Sequence, residues 1–299
     1  MPKISVIIPT KNRAQDVVEC VNSVLVSIYK DFEIIIVDDN SEDDSVAVIE
    51  KQFRDNSLIT LLSSHKDLGA GGSRNSGAFK ATGKYILFVD NDNVIDPKMI
   101  EHLVGFFEKT PDCGMVGPLM LYKNDPSLIW MYFADINMMT SMARYKGNQE
   151  KNEGQYPEIQ RVGHLPNCFM VLNKDFKKVK GFDEKFFIMY EEADLAEKIK
   201  RQLGKNIYLV SKAVTKHNVE INPESEQNTL GLRSTWRAFL VPRNRIYFMR
   251  KNASLFQLIA FFTIFNNAIL VYYVFNLIKR KKFDFVVQYV KGFLAGFFL

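Results

Sequence analysis

The first ninety residues alternate short β-branched and aromatic runs with stretches of helical periodicity, and this alternation constrains the fold more than any other feature. The runs ISVIIP, FEIIIVDD, ITLLSS and KYILFVD predict strands, of which the third is the weakest. Between the first two runs, Val17, Val21 and Val24 lie at helical spacing. Strands that alternate with helices predict an α/β fold with a mostly parallel central sheet flanked by helices.

The middle of the chain continues this pattern less regularly. MIEHLVGFFEK predicts a helix and CGMVGPLML a strand. EEADLAEKIKRQLGK predicts a second helix that stops at Gly204, and the strand IYLVSKAVTKH then ends at His217. Residues 122–165 predict a hairpin and loops that shape the pocket for a second substrate.

Three of the predicted strands end in polar clusters: PTKNR at 9–13, DDNS at 38–41 and DND at 90–92. The carboxyl ends of parallel strands meet at one edge of a sheet, so one crevice is expected to collect all three clusters. Turn formation explains one acid at a strand end but explains two poorly. Asp90 and Asp92 repel each other unless a cation or a hydrogen-bonding ligand offsets the repulsion.

Composition argues against nucleic acid as a partner. The 299 residues carry 39 Lys and Arg against 34 Asp and Glu, a net charge of only +5. The three cysteines, Cys20, Cys113 and Cys168, are odd in number and widely spaced, which fits neither a disulfide framework nor a zinc site. A reducing cytosol is therefore expected. The apolar run at the N-terminus is too short for a signal-peptide core, so the catalytic part is not expected to be exported.

Residues 255–278 form an apolar stretch that is long enough to cross a bilayer but is interrupted by polar residues. Basic clusters flank both sides, including Lys279-Arg280-Lys281-Lys282. Because Lys and Arg favour the cytoplasmic side, a single crossing would misplace one cluster. The pattern predicts a segment that dips into or lies along the inner leaflet at the cytoplasmic side of the cell membrane. A buried helical hairpin or a dimer interface is the alternative.

The glycine-rich stretch GAGGSRNSG at 69–77 fails two phosphate-loop patterns. A dinucleotide fingerprint needs Gly where Arg74 stands, and a P-loop needs Lys where Ala78 stands. What remains is a flexible turn into a helix start at which Arg74 and Asn75 could meet a phosphate. A plain turn and cap remains open as the alternative.

The stretch YILFVDNDNV also matches the nucleophile motif of haloacid-dehalogenase-like phosphatases, with Asp90 as the nucleophile and Asp92 as the acid. That family adds a downstream GDxxxD-like motif, which this sequence lacks. The phosphatase interpretation also leaves VDDNS and EEAD without a role.

Seven motifs in order resemble glycosyltransferase family 2: SVIIPTKNR, VDDNS, GGSRNSG, FVDND, GFDEKFF, YEEADL and KAVTKH. The resemblance runs from about Ile4 to His217 and implies a GT-A (Rossmann-like) fold. It implies a domain over residues 1–220, with a nucleotide-sugar-binding half at 1–95 and an acceptor half at 96–220. A basic linker at 221–253 and apolar membrane-associating helices at 254–299 complete the expected organisation.

The resemblance also implies residue roles. Asp39 would hydrogen-bond the nucleotide base beside the backbone of Pro9 and Thr10. Asp92 would bind Mn²⁺ or Mg²⁺, Asp90 would contact the ribose or reach the metal, and His217 would be a later metal or diphosphate ligand. A plain strand-end histidine is the alternative for His217. The full expected nucleotide-sugar set is Pro9, Thr10, Asn12, Arg13, Asp39, Arg74, Asp90 and Asn91.

Glu192 occupies the position of the family's catalytic base, which is normally Asp. Glu191 is a possible substitute, and helix-start capping by both acids is the alternative. The expected function is an inverting, metal-dependent transfer of a sugar from a UDP-, dTDP- or GDP-sugar to a glycan or lipid-linked acceptor hydroxyl. A phosphatase using Asp90 and a catalytically inactive nucleotide-sugar binder that acts as an assembly partner remain alternatives.

Overall fold

A computed structural model describes residues 3–221 and 229–299 of the chain. The chain divides into two compact units. The first unit comprises Met1–Asp135, Tyr145–Phe187 and Glu191–Val219, and the second comprises Ile136–Arg144, Ile188–Tyr190 and Glu220–Leu299.

Twelve strands are present in the described residues. They are β1 (Ile4–Thr10), β2 (Phe32–Asp38), β3 (Ile59–Ser63), β4 (Tyr85–Val89), β5 (Asn93–Ile95), β6 (Cys113–Tyr122), β7 (Ile129–Met131), β8 (Phe133–Ile136), β9 (Ala143–Lys146), β10 (Ile159–Arg161), β11 (Cys168–Leu172) and β12 (Asn206–His217).

The α-helices of the first unit are α1 (Ala14–Leu25), α2 (Ser45–Phe53), α3 (Gly69–Lys80), α4 (Met99–Lys109), α5 (Asn173–Lys178) and α6 (Glu191–Leu203). The second unit contains α7 (Thr235–Asn252), α8 (Leu255–Lys279) and α9 (Phe283–Ala295). A short 3₁₀ helix spans Glu184–Phe186.

A ten-stranded sheet forms the centre of the first unit, with the main order β10-β12-β6-β11-β4-β1-β2-β3. β5 pairs with β12 and β7 pairs with β6, while β8 and β9 form a separate two-stranded sheet. β3, β2, β1, β4, β6 and β12 all run in one direction, and the other four strands run against them. The predicted mixed α/β architecture with a mostly parallel central sheet is confirmed.

Helices cover both faces of this sheet, which explains why its strands are apolar on both sides. Ile4, Val6 and Ile8 of β1 belong to a core layer that includes residues of α1 and α4. Ile7 belongs to the opposite layer, with residues of α3 and α6. Alternate side chains of one strand therefore fill two cores, and the strand reads as a continuous hydrophobic run.

The glycine-rich stretch is helical from its first residue, which corrects the prediction of a flexible turn. α3 begins at Gly69, so Arg74 lies within the helix and not at its start. Packing explains the glycines: a Cβ on Gly77 would lie 2.6 Å from Cγ2 of Ile7. The helix therefore approaches β1 and β2 more closely than any side chain at this position would allow.

Two other stretches contain more regular structure than expected. Residues 122–165 include β7 to β10, and the predicted basic linker contains α7, an 18-residue helix. Residues 222–228 of that linker lie outside the described residues. The predicted stop of α6 is present, since Gly204 follows the helix with a φ of +65°.

The second unit is built from α7, α8 and α9. α8 contains a π-helical turn at Phe261–Phe265. Among its interrupting polar side chains, Thr263 Oγ1 donates to the Ile259 carbonyl at 2.7 Å, and Asn276 Nδ2 donates to the Tyr272 carbonyl at 2.8 Å. Asn266 Nδ2 is buried and has no hydrogen-bond partner among the described residues. Within the described residues α8 alone is long and apolar enough to cross a membrane, judged by length and composition.

Candidate active site

The structure brings the predicted polar clusters together at one edge of the sheet. Asn91 Nδ2 donates to Thr10 Oγ1 at 2.8 Å, and the Asp39 N–H donates to the Thr10 carbonyl at 2.8 Å. His217 reaches the same edge because β12 runs parallel to β6 and pairs with β5 directly after the DND cluster. The three clusters therefore converge at the edge where the parallel strands end, as the sequence predicts.

The loops after β1 and β2 are bonded to each other. The Asn12 N–H donates to Ser41 Oγ at 2.8 Å, and Asn12 Oδ1 accepts from the Glu42 N–H at 2.7 Å. Asn12 adopts a φ of +52°, which asparagine tolerates better than most residues. Pro9 precedes Thr10 inside β1 and pairs with β2. These contacts fix the backbone at which the nucleotide base is expected.

Asp39 is bonded to the start of α3. Its two carboxylate oxygens accept from the backbone N–H groups of Leu68 and Gly69 at 2.6 and 3.0 Å. Partial burial raises the pKa of Asp39, although the two N–H groups oppose this shift. Asp38 differs, because its buried Oδ1 has no hydrogen-bond partner among the described residues.

Asp92 and His217 are in contact, with 3.3 Å between Asp92 Oδ1 and His217 Nε2. The Arg13 guanidinium lies 3.7 Å from Asp92 and 3.1 Å from Asp16. Burial acts to raise the pKa of Asp92, but His217 and Arg13 outweigh burial and lower it. Asp92 is therefore a carboxylate at neutral pH.

Arg74 is the centre of a buried charge cluster. Its guanidinium lies 2.6 Å from Asp90, 2.9 Å from Glu191 and 3.0 Å from Glu192, and its side chain is only 2% exposed. Burial opposes the charge of Arg74, yet the three carboxylates hold its pKa above the usual value. Burial raises the pKa of Glu192 to about 8 despite the nearby guanidinium. One cation thus faces three acids, so Glu192 holds a proton more readily than an ordinary glutamate.

Asn167 is a residue that the sequence analysis missed. Its backbone N–H donates to Glu192 Oε1 at 2.9 Å, and its side-chain Nδ2 lies 3.2 Å from His217 Nε2. Asn167 adopts a φ of +63°, which asparagine tolerates better than most residues. A single Asn after Pro166 carries only a turn signal in the sequence, and its partners are 25 and 50 residues away.

The expected three-ligand metal set is not assembled in this structure. Asp92 and His217 converge, whereas Asp90 is bonded to Arg74. Across residues 3–221 and 229–299, no group of three His, Cys, Asp or Glu side chains is arranged to hold a metal ion. The predicted contact of Arg74 with a donor phosphate would require its guanidinium to leave the three carboxylates. The ligand roles of Asp90, Asp92 and His217 remain predictions.

A family model described as Glycosyl transferase family 2 matches residues 5–180. The chain belongs to glycosyltransferase family 2. The glycosyltransferase GlyG of Streptococcus pneumoniae is 36% identical over 176 residues, which cover 59% of this chain and 58% of that protein. A Campylobacter jejuni protein named GalNAc(5)-diNAcBac-PP-undecaprenol β-1,3-glucosyltransferase is 37% identical over 94 residues, covering 31% of this chain and 30% of that one.

Solved structures support the GT-A fold of this family 2 chain. The crystal structure of GalNAc-T7 with UDP, GalNAc and Mn²⁺ aligns with a TM-score of 0.62 at 18% identity, over 74% of this chain and 44% of that one. At this identity the likeness concerns the fold. The family 2 chain also spans only part of the length of GlyG and of the Campylobacter protein.

Replacing Arg74 with Met should make stability strongly dependent on pH. A carboxyl group whose folded-state pKa lies above its unfolded value of about 4 stabilises the fold below that value, and this contribution is lost as the pH rises through the folded pKa. Without the guanidinium, Asp90, Glu191 and Glu192 should shift further upward. The free energy of unfolding should then fall below wild type by about 3–5 kcal/mol near pH 8, and by much less near pH 5.

Urea unfolding across this pH range measures the effect. Lys80→Met is the matched control, because it removes the same charge from an exposed position on the same helix. If the free energy of unfolding of Arg74→Met were lower than that of wild type by the same amount at every pH, Arg74 would act through packing and not through the three carboxylates.

Proposed function

We propose that this chain transfers a sugar from a nucleotide diphosphate donor to a hydroxyl group of a glycan or lipid-linked acceptor, with inversion at the anomeric carbon. The observation that carries the proposal is the bridge made by Asn167. It contacts His217, on the side expected for the diphosphate, and Glu192, the expected base. These contacts support a donor site and a base that adjoin at one edge of the sheet.

The donor binds, in this proposal, along the carboxyl ends of β1, β2 and β4. Asp39 and the backbone of Pro9 and Thr10 receive the base. The diphosphate lies toward Asp92 and His217. The remaining contacts come from Asn12, Arg13, Asp90 and Asn91. Arg74 forms a salt bridge with Asp90.

A divalent cation, Mn²⁺ or Mg²⁺, fits the chemistry of the site in part. Asp92 supplies carboxylate oxygens and His217 an imidazole nitrogen, and these two groups are already in contact. The diphosphate oxygens would have to complete the ligand set. When bound, the ion would neutralise charge on the leaving diphosphate. The UDP and Mn²⁺ named with the GalNAc-T7 structure favour the same pairing.

Glu192 is the proposed general base. The acceptor hydroxyl oxygen forms a bond to the anomeric carbon while the bond to the diphosphate oxygen breaks, and the hydroxyl proton passes to Glu192. Arg74 and the Asn167 N–H both hold Oε1 of Glu192, so Oε2 is the oxygen that takes the proton. A single displacement inverts the configuration.

The phosphatase alternative receives less support. It requires the Asp90 carboxylate to attack a phosphate, but Arg74 lies 2.6 Å from that carboxylate. The family assignment also accounts for the motifs that the phosphatase interpretation leaves without a role.

The second unit is proposed to hold the protein at the inner leaflet of the membrane. Phe283, Val287, Val290 and Leu294 are exposed and lie on one face of α9 at helical spacing. Lys279-Arg280-Lys281-Lys282 precede this face and suit anionic lipid head groups. A lipid-linked acceptor agrees with this placement and with the PP-undecaprenol in the name of the Campylobacter relative.

Nucleotide binding should be detectable by thermal shift. One nucleotide among UDP, GDP and dTDP should raise the Tm of the full chain by about 5 °C or more at saturating concentration with Mn²⁺ or Mg²⁺. EDTA and Asp92→Asn should each remove the shift, because both remove the cation from the diphosphate. A shift that survives both changes would refute metal-dependent donor binding. A shift without any sugar transfer would favour the inactive-binder alternative.

Glu192→Gln should lower kcat by about 10²–10⁴-fold, because a neutral amide cannot accept the acceptor proton. Glu192→Asp should retain part of the activity, since Asp is the residue usual at this position in the family. In the wild type, kcat/KM should rise with pH through about 8, the pKa of Glu192, as the base becomes ionised.

Glu197→Gln is the control for this series, because it makes the same change on the same helix, where Glu197 pairs with Lys200. Full activity of Glu192→Gln would contradict Glu192 as the base and would favour Glu191 in that role.

Membrane association should depend on the exposed face of α9. Val287→Asp/Leu294→Asp should reduce flotation of the full chain with vesicles that contain anionic lipid, because two apolar contacts with the membrane are replaced by charges. Val26→Asp/Ile28→Asp removes two exposed aliphatic side chains from the first unit and should have no effect. Equal flotation of both double variants and wild type would contradict the proposed role of α9.

A further inference from the structure

A second recess lies at the edge of the sheet opposite the candidate active site. Its cavity, of about 620 Å³, is lined at the amino ends of β4 and β6 by Tyr85 and Cys113, and at the end of β11 by Leu172. The five residues of β4 separate the two edges by about 17 Å. The recess is therefore distinct from the donor and acceptor positions proposed above.

The floor of this recess is apolar and aromatic. Tyr85 and Phe107 are buried, and their ring centroids are 5.2 Å apart. Cys113 is buried beside them, and burial raises the pKa of its thiol to about 12, so the thiol stays uncharged. Pro111 and Leu172 complete the apolar lining. The volume of the recess lies within the range of small-molecule sites.

Four lysines surround this floor: Lys84, Lys174, Lys177 and Lys205. Lys205 pairs with Asp175 at 2.5 Å. The ammonium of Lys84 lies 4.9 Å from the centre of the Tyr85 ring. Glu108 interacts electrostatically with Lys84, but Glu108 forms its salt bridge with Lys3. Within the described residues, Lys84, Lys174 and Lys177 form no salt bridge. The recess thus presents uncompensated positive charge beside a wall of low polarity, which strengthens the attraction for an anion.

Asn173 holds the start of α5 against the turn before β4. It lines the cavity, is 8% exposed, and donates through Nδ2 to the carbonyls of Ala81 and Gly83 at 3.2 and 2.8 Å. These two bonds fix the start of the helix on which Lys174 and Lys177 lie.

We propose that this recess binds a phosphate monoester that carries a ring or another apolar body. The lysines receive the phosphate, and the apolar floor formed by Tyr85, Phe107 and Leu172 contacts the body. The same head group occurs on soluble metabolites and on phosphatidic acid, so the test includes one probe of each kind.

Isothermal titration of the full chain with phenyl phosphate and with monomeric dihexanoyl phosphatidic acid, both in EDTA, tests the site. At least one probe should bind, and Lys174→Gln/Lys177→Gln should weaken its binding by about tenfold or more. The probe that binds more tightly identifies the source of the phosphate. Inorganic phosphate should bind more weakly than the probe that binds more tightly, because it makes no contact with the apolar floor.

The controls separate this site from general charge and from the active site. Lys178→Gln/Lys180→Gln removes the same charge from neighbouring exposed positions that do not line the cavity, and it should leave binding unchanged. Asp92→Asn should also bind normally. The inference is wrong if neither probe binds to wild-type protein whose thermal unfolding shows that it is folded. It is equally wrong if both lysine pairs weaken binding alike, or if Asp92→Asn abolishes it.

Discussion

The buried guanidinium of Arg74 connects parts of the first unit that are far apart in the sequence. It joins α3 to the end of β4 through Asp90, and to the start of α6 through Glu191 and Glu192. A buried charge is costly without partners, so the three acids and the cation require one another. The position of the proposed base therefore depends on a residue that lies outside the reacting groups.

This dependence gives Arg74 and Asn167 complementary roles in the proposed reaction. Arg74 sets the charge around Glu192, and Asn167 orients the same carboxylate while it contacts His217. Glu at a position that is normally Asp in the family extends the carboxylate by one methylene. The two contacts to Oε1 show how the longer side chain is held, and neither of them involves Oε2.

In the second unit, the physical constraint is the hydrogen bonding of polar side chains within the apolar helix α8. Polar groups in an apolar helix are tolerated next to lipid only when their hydrogen bonds are satisfied internally. Thr263, Asn267 and Asn276 each bond to a carbonyl of their own helix. These three interruptions of residues 255–278 are thus satisfied within the helix, whereas Asn266 Nδ2 is buried and has no hydrogen-bond partner among the described residues.

The sequence by itself determined the α/β class, the strand ends that form the crevice and the family, because periodicity and ordered motifs are local properties of the chain. The tertiary structure decided that α3 begins at Gly69, since Gly77 packs against Ile7 of a strand 70 residues away. It also decided that Arg74 pairs with three carboxylates, and that Asn167 joins Glu192 to His217. Each of these contacts joins residues that only packing across the sheet brings together. Local sequence patterns therefore do not predict which residues become partners.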